Sequence, residues 1–375
     1  MTTIYLIRHT QAEGNIFRIM QGHWDGDITS VGRLQIEALK ERMLKEKIEA
    51  VYSSDLYRAY ITAQEGIAAP RGLETVKDSR LREMNMGPWE AKFFANIERD
   101  YPEESEKFKF DSENFLWKGA ESFDSVRQRM FAAIEDIAEE NDGKTIAIVS
   151  HGVSNRCFLS KVLQADLSDV ETVPICKNTA ITKLKYEKGR FTVEYKNDHA
   201  HLGELEPKKW NSIPELSDFP LDLKREAAYY CQCYEEGWRF AHGGSSKGFE
   251  PAIYLCSAMQ HSAEDRNAVL RLSHGERDAG LVELAPQRGE EENIGWISLL
   301  YLNPEYRGRG CGIQALARAI VYYKNLGRQA IRLNVNPMNE TAINFYKKYG
   351  FKVIDEQRDL LLLEKSLNKS FSEEL

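Results

Sequence analysis

Short apolar runs alternate with longer amphipathic stretches through the first half of the chain, and this alternation restricts the possible folds more than any other feature. The run IAIV at residues 146–149 is apolar throughout, which is typical of a strand buried on both faces. Between such runs, residues 28–48 place Ile36, Leu39 and Met43 on one face of a predicted helix. Strands and helices in alternation favour a mainly parallel sheet covered by helices, an α/β fold.

A proline-containing stretch divides the chain of 375 residues into two parts. Residues 204–223 include Pro207, Pro214 and Pro220 and show no sustained periodicity, which is typical of a linker. Because a chain of this length exceeds one ordinary core, we expect a first domain over residues 1–203 and a second over residues 224–368. In the second part, one helical pattern is followed by strands, a helix, a strand, a helix and a last strand.

Charge and composition exclude several classes of protein. The formal net charge of −8 argues against binding to nucleic acid or to an anionic membrane. No apolar run approaches the length that spans a bilayer, and the N-terminus lacks the pattern of a signal peptide. The 6 cysteines are scattered and form neither a disulfide framework nor a metal motif. We therefore expect a cytoplasmic protein without a bound metal.

Three predicted strands end in side chains suited to binding an anion. The first ends at Arg8 and His9, the second is followed by Arg58 in the first turn of a helix, and the third is followed by His151. Ligands of open α/β sheets bind beyond the carboxyl ends of the strands, so we expect these four residues to share one cleft. Guanidinium groups pair with phosphate oxygens, and a neutral imidazole can attack phosphorus. The pattern predicts phosphoryl-group chemistry in which arginines supply the positive charge.

The same segments resemble the histidine phosphatase superfamily, also called the phosphoglycerate-mutase-like superfamily, from about residue 2 to residue 202. The motifs that carry the resemblance are, in order, IRHT at 7–10, GN at 14–15, QGHWDGDIT at 21–29, VYSSDLYRAYITA at 51–63, LREMNMGPWEA at 81–91, GAESFDSVRQR at 119–129, IVSHG at 148–152 and NDHAHL at 197–202. The resemblance implies a three-layer α/β/α domain.

It also implies roles for residues within these motifs. His9 is expected to be the nucleophile, and Arg8, Arg58 and His151 are expected to complete the phosphate pocket. Glu83 is expected to be the general acid for the leaving oxygen, a role that needs a protonated carboxyl group. The other expected pocket residues are Asn15, Gln21 and Gly22.

The sequence departs from the family pattern at Thr10, where the family has glycine. The Thr10 hydroxyl could bind the phosphate, or the side chain could tighten the pocket and weaken activity. Because every residue with a charge role is present, we expect activity to be retained. Segments 21–29 and 119–129 look more like those of the broad phosphatases than those of the mutases, so we expect hydrolysis of a small phosphate ester, with mutase activity as an alternative.

A glycine-rich turn opens a helix in the second part of the chain. Its residues are Arg307, Gly308, Arg309, Gly310, Cys311 and Gly312, and they follow a strand pattern that ends at Leu302. The glycine spacing fits neither the dinucleotide-binding fingerprint nor the P-loop. Backbone N–H groups at a helix N-terminus, flanked by arginines, suit a pyrophosphate.

This turn resembles the loop of the GNAT family of acyl-CoA N-acyltransferases at Arg307, Gly310 and Gly312, and residues 334–351 resemble a second family signature. The resemblance covers about residues 224–365 and implies an α+β domain. The residues that it implies for coenzyme A binding are Leu302 through its backbone, Arg307, Gly308, Arg309, Gly310, Gly312 and Asn339. Tyr346 is expected to protonate the departing thiolate. The predicted strand at 294–302 contains no acidic residue, so we name no general base.

Together these patterns predict a bifunctional enzyme. One domain hydrolyses a small phosphorylated substrate without a metal, and the other uses acetyl-CoA to acetylate a small amine. The competing interpretation is a ligand-controlled regulator in which one or both pockets bind without turnover, and it depends on Thr10 and on the unnamed base. The sequence identifies neither substrate and carries no signal for an oligomeric state.

Overall fold

The structure, a computed structural model, describes residues 1–205, 213–357 and 359–368. It divides into two compact units, Met1–Lys208 and Lys209–Leu375, which we call the N-terminal unit and the C-terminal unit. The predicted linker, residues 204–223, spans the division, and its residues 206–212 lie outside the described part of the chain.

A six-stranded sheet forms the centre of the N-terminal unit. The strands are β1 Thr2–Arg8, β2 Ala50–Ser53, β3 Thr75–Lys77, β4 Thr145–Ser150, β5 Ile181–Glu187 and β6 Arg190–Asp198. Their order is β3-β2-β4-β1-β5-β6. The first four in this order are parallel, and β5 and β6 form an antiparallel hairpin beside β1.

Helices surround this sheet, which is buried on both faces. They are α1 Glu13–Phe17, α2 Ser30–Met43, α3 Tyr57–Ala63, α4 Phe94–Asp100, α5 Pro102–Phe110, α6 Phe123–Glu140 and α7 Gly152–Val162. Alternate residues of a strand point to opposite faces, so Ile4 and Leu6 of β1 pack into one hydrophobic cluster, and Tyr5 and Ile7 pack into another. The predicted α/β class of this domain is confirmed.

The carboxyl ends of β1, β2 and β4 meet at one edge of the sheet. Arg8 is in parallel register with Ser150, and the N–H of His9 donates to the carbonyl oxygen of Ser150 at 2.9 Å. The N–H of Ser54, which follows β2, donates to the carbonyl oxygen of Val149 at 3.0 Å. The residues that follow these strands are therefore brought together.

The C-terminal unit has a seven-stranded sheet with helices, the architecture predicted for a GNAT domain. Its strands are β7 Ser217–Pro220, β8 Val269–His274, β9 Arg277–Ala285, β10 Ile294–Leu302, β11 Ala330–Val335, β12 Lys352–Gln357 and β13 Leu360–Ser366, in the order β12-β13-β11-β10-β9-β8-β7. Its helices are α8 Ala227–Ala241, α9 Pro251–Glu264, α10 Gly312–Asn325 and α11 Glu340–Lys348.

Strands β10 and β11 form the parallel pair of this sheet, and they separate along their length. Their pairing extends from Ile294 to Trp296 of β10, opposite residues 330–332. A bulge in β10 between Ile297 and Leu299 accompanies the separation. Both strands continue beyond it, to Leu302 and Val335, and no further pairing joins them in the described residues. Backbone groups thus line a gap in the middle of the sheet.

Three elements of the C-terminal unit were not predicted from the sequence: strand β7, helix α9, and strand β12, which pairs with the predicted last strand β13. Strand β7 lies within the predicted linker, where Pro220 ends an edge strand opposite Leu270. An edge strand accommodates proline because one side of its backbone needs no partner. Helix α9 was not predicted. Its apolar residues Ile253 and Met259 are exposed, so the apolar residues of this helix do not form a single buried face. No helix among the described residues combines the length and apolar character needed to cross a bilayer.

Candidate active sites

His9 follows β1 directly and is buried, with 2% of its surface exposed. Its Nδ1 lies 2.6 Å from the carbonyl oxygen of Thr10, so Nδ1 carries the proton and Nε2 keeps its lone pair. Burial, followed by the positive charges of Arg58 and Arg8, lowers the pKa of His9 well below its usual value. The neutral imidazole with an unprotonated Nε2 is the form that attacks phosphorus.

His151 follows β4 and lies beside His9, with ring centroids 5.2 Å apart and ring planes at 54°. It is fully buried, and neither ring nitrogen hydrogen bonds to another described residue. Burial, together with Arg58 and His9, lowers the pKa of His151 well below its usual value. Because buried polar atoms are normally satisfied, these two nitrogens are candidates for contact with a bound polar group.

Arg8 and Arg58 are each held by a backbone carbonyl. Arg8 Nη1 donates to the carbonyl oxygen of Cys176 at 2.7 Å, and Arg58 Nη2 donates to that of Gly22 at 2.7 Å. Arg58 Nη1 also lies 3.3 Å from Asp25 Oδ1. The Nε atom of each arginine is buried without a partner among the described residues. Both cations therefore retain donors for a phosphate.

The Glu83 carboxylate is bound to the first turn of α7. Its Oε1 accepts hydrogen bonds from the backbone N–H of Ser154 at 2.9 Å, from the Ser154 hydroxyl at 3.0 Å and from the N–H of Met84 at 3.0 Å. Its Oε2 accepts from the N–H of Val153 at 3.1 Å. Since α7 begins directly after His151, these hydrogen bonds fix Glu83 next to the second histidine.

Asn15, Gln21 and Gly22 have three different environments. Asn15 Oδ1 accepts from a backbone N–H three residues earlier, at 2.9 Å, and so closes the turn into α1. Gln21 packs over Gly14, and its Oε1 is buried without a described partner. Gly22 has a φ of +50° and holds Arg58 through its carbonyl. Gly22 thus positions Arg58, and Gln21 has a buried oxygen without a partner among the described residues. The described contact of Asn15 stays within its own turn.

The hydroxyl of Thr10 is directed at helix α2. Thr10 Oγ1 donates to the carbonyl oxygen of Gly32 at 2.7 Å and lies 3.1 Å from Gln35 Oε1. Its backbone N–H donates to Thr62 Oγ1 at 3.0 Å. The suggestion that this hydroxyl binds phosphate is therefore wrong for this conformation, because α2 already accepts its proton.

Two residues that sequence analysis did not single out also support the pocket. Asn178 is buried, and its Nδ2 donates to the carbonyl oxygen of His9 at 2.9 Å. Asp25 accepts the N–H of Tyr57 at 2.6 Å through Oδ2 and pairs with Arg58 through Oδ1. Asp25 lies in the quoted motif at 21–29 and could have been found there, whereas Asn178 lies outside every quoted motif.

The glycine-rich turn of the C-terminal unit requires glycine at three positions. Gly308 and Gly310 have φ of +69° and +82°, which favour glycine. A Cβ at Gly312 would lie 2.8 Å from Phe345 Cε2, so glycine here allows α11 to pack closely. Helix α10 begins at Gly312, so its first N–H groups have no acceptor within the helix.

The two arginines of the turn differ in their restraint. Arg307 Nε donates to the carbonyl oxygen of Leu302 at 2.8 Å, and its guanidinium lies 4.6 Å from the ring centre of Phe240 and 5.4 Å from that of Tyr301. Arg309 is exposed, and its described side-chain contact is with a backbone carbonyl at 3.3 Å. Arg307 therefore connects the turn to the end of β10, and Arg309 faces solvent.

Asn339 and Tyr346 lie at the start and in the body of α11. Asn339 Oδ1 accepts the N–H of Ala342 at 3.1 Å and caps the helix. Tyr346 is buried against Phe345 and Phe351, with ring centroids 5.3 Å away in each case. Burial raises the pKa of Tyr346, so its hydroxyl keeps the proton at neutral pH.

Two family models match the chain, one in each unit. The histidine phosphatase superfamily (branch 1) matches residues 4–199. The acetyltransferase (GNAT) family matches residues 228–351.

Individual relatives resemble about half of the chain. Phosphoserine phosphatase 1 of Hydrogenobacter thermophilus is 30% identical over 205 residues, which cover 55% of this chain and 96% of that protein. Phosphoglycerate mutase-like protein 4 of Arabidopsis thaliana is 30% identical over 204 residues, covering 54% of this chain and 87% of that protein. Among solved structures, Bacillus stearothermophilus YhfR is 30% identical with a TM-score of 0.53 and covers 54% of this chain and 100% of that chain. The chain therefore belongs to the histidine phosphatase superfamily, and its C-terminal unit carries a match to the GNAT acetyltransferase family.

Proposed function

We propose that this chain is a bifunctional enzyme. The N-terminal unit hydrolyses a small phosphomonoester through a phosphohistidine, and the C-terminal unit transfers the acetyl group of acetyl-CoA to an amine. The observation that carries the first activity is the buried, neutral pair His9 and His151 beside Arg8 and Arg58, each of which has an Nε atom without a partner in the described part of the chain.

In the proposed reaction, Arg8 and Arg58 bind the phosphate oxygens and His9 Nε2 attacks phosphorus. The bond to the leaving oxygen breaks, and that oxygen takes up a proton from Glu83. In this step Glu83 is protonated on Oε2, which accepts one hydrogen bond from the described residues, against three at Oε1. His151 donates a hydrogen bond to an equatorial oxygen as charge develops. Water then attacks the phosphohistidine with Glu83 as base, which releases phosphate and restores His9. The engagement of the Thr10 hydroxyl with Gly32 supports turnover over the regulator alternative, because the hydroxyl does not compete for the phosphate.

The test is hydrolysis of p-nitrophenyl phosphate and of phosphoserine, the latter chosen because a relative with 30% identity is a phosphoserine phosphatase. His9→Ala should abolish hydrolysis of both. The control, His274→Ala, changes an exposed histidine of the other unit and should leave the rate unchanged. Activity should also survive a chelator. Loss in EDTA that returns with a divalent metal would contradict the mechanism.

The C-terminal unit fits acetyl-CoA in two places. Backbone N–H groups of residues 308–312 would hold the pyrophosphate, and the separated edges of β10 and β11 would hydrogen bond the amides of the pantetheine arm. Acetyl-CoA supplies an activated thioester. Tyr346, which keeps its proton at neutral pH, would give that proton to the sulfur as the C–S bond breaks.

Calorimetry with acetyl-CoA, followed by a screen of amines that includes amino-sugar phosphates, tests the second activity. We expect binding by the wild-type protein and by Tyr346→Phe, with turnover lowered only in the variant, because the variant loses a proton and not a binding contact. Absence of any heat or thermal shift with acetyl-CoA would rule out the transferase function.

A further inference from the structure

A buried carboxylate in the C-terminal unit has no role in the functions proposed above. Glu283 of β9 is 1% exposed. Its Oε2 accepts a hydrogen bond from the Tyr230 hydroxyl at 2.7 Å, and its Oε1 lies 2.9 Å from His261 Nδ1. Tyr230 belongs to α8 and His261 to α9, so three elements converge on one carboxylate.

This cluster lies next to the gap in the sheet. Glu283 is the register partner of Leu299, the residue of β10 at which the bulge ends and beyond which β10 runs on without pairing to β11. Leu299 and Tyr301 of β10 pack in the same hydrophobic cluster as Tyr230. The carboxylate is therefore one strand away from the backbone that we assign to the acyl-CoA arm.

The hydrogen bond to Glu283 also determines the state of the His261 ring. A carboxylate that accepts from Nδ1–H leaves the lone pair on Nε2, at the opposite side of the ring. The His261 side chain is 14% exposed, whereas that of Glu283 is 2% exposed. A histidine whose tautomer is held by a buried carboxylate has the arrangement of a general base.

We propose that His261, positioned by Glu283, is the general base of the acetyl transfer. This assignment rests on the transferase function proposed above. Nε2 takes a proton from the ammonium form of the acceptor. The amine nitrogen then forms a bond to the thioester carbon, and the C–S bond breaks. Tyr346 gives its proton to the sulfur, and the second proton of the nitrogen passes to the Tyr346 oxygen. No oxidant or metal is needed. The competing interpretation is that the cluster only ties α8 and α9 to the sheet.

The first measurement compares variants in the full chain with acetyl-CoA and the best amine of the screen. His261→Gln should lower kcat about 100-fold, with the Kd for acetyl-CoA unchanged. Glu283→Gln, which keeps an acceptor for Tyr230, should lower kcat less and leave the KM for acetyl-CoA unchanged. His274→Gln, an exposed histidine of the same unit, is the control and should leave kcat unchanged. Unchanged kcat in His261→Gln would overturn the proposal.

A second measurement needs no amine. Diethyl pyrocarbonate modifies accessible imidazole nitrogens, and mass spectrometry locates the modified residue. We expect acetyl-CoA to slow modification of His261 and to leave that of His274 unaffected. Equal rates at His261 with and without bound acetyl-CoA would place its ring outside the cleft and overturn the proposal while the transferase function stands. If calorimetry shows no acetyl-CoA binding, the transferase function fails first and the base assignment fails with it.

Discussion

The hydroxyl of Thr10 donates a 2.7 Å hydrogen bond to the carbonyl oxygen of Gly32, so the residue that follows His9 is tied to helix α2. Thr10→Val removes this buried hydrogen bond, while the Gly32 carbonyl keeps its place as an acceptor within α2, so the free energy of unfolding should fall by about 1 kcal/mol. Phosphatase kcat should change little. Urea unfolding and steady-state kinetics check both parts, and Thr10→Ser, which keeps the hydroxyl, is the control. A rise in KM without a loss of stability would show that the hydroxyl binds substrate instead.

Glu83 should matter most when the leaving group is a poor one. The leaving oxygen of an alkyl phosphate needs a proton, whereas nitrophenolate needs little help. Glu83→Gln keeps the size of the side chain and should slow hydrolysis of phosphoserine about 100-fold more than that of p-nitrophenyl phosphate. The ratio of kcat/KM values for the two substrates is the measurement. Equal losses would mean that Glu83 serves only to hold α7 in place.

The two buried histidines should make stability depend on pH. Burial lowers the pKa of His9 and of His151 below the usual value of 6.5. Below pH 6.5 the unfolded chain therefore binds protons that the folded chain does not, and the free energy of unfolding falls as pH falls. Each imidazole contributes at most about 1.4 kcal/mol per pH unit within this window.

Urea unfolding in phosphate-free buffer at several pH values tests this dependence. The double variant His9→Asn, His151→Asn should lose less stability between neutral pH and pH 5 than the wild type does, because neither asparagine titrates. The carboxylates are the same in both proteins, so their contribution to the pH dependence cancels when the two free energies of unfolding are subtracted. Identical slopes would show that the histidines are not held neutral by the fold.

Gly310 should be needed for binding of acetyl-CoA. It has a φ of +82°, and a Cβ there would lie 3.0 Å from Ile213 Cδ1. Gly310→Leu should cost about 1–2 kcal/mol of stability from backbone strain and should also block the approach of a pyrophosphate. Gly327→Leu is the matched control, since Gly327 has a φ of +73° in open space and bears the same strain. Calorimetry should show binding lost only in Gly310→Leu, and equal affinities would contradict the assignment of this loop.

Local patterns predicted the fold and much of the candidate phosphate pocket, because the sheet itself brings strand ends together. The apolar run of β4 and His151, which follows that strand, are close together in the sequence, so both could be identified from it. The Glu283 and His261 contact could not be predicted in this way, since it joins a strand to a helix 22 residues earlier and depends on packing. The direction of the Thr10 hydroxyl likewise depends on where α2 lies. Strand β7 was not predicted because a strand that contains proline is tolerated only at the edge of a sheet. Its edge position follows from the order of all seven strands and not from its own sequence.

The parting of β10 and β11 has a consequence for the working cycle of the C-terminal unit. Main-chain amides inside a sheet that lack a neighbour must be satisfied by something else. If the proposed acyl donor binds in this gap, its own amides replace the missing strand pairing, and the donor then completes the sheet. Under the proposed transferase function, loading of the donor would close the gap in the sheet and release would reopen it.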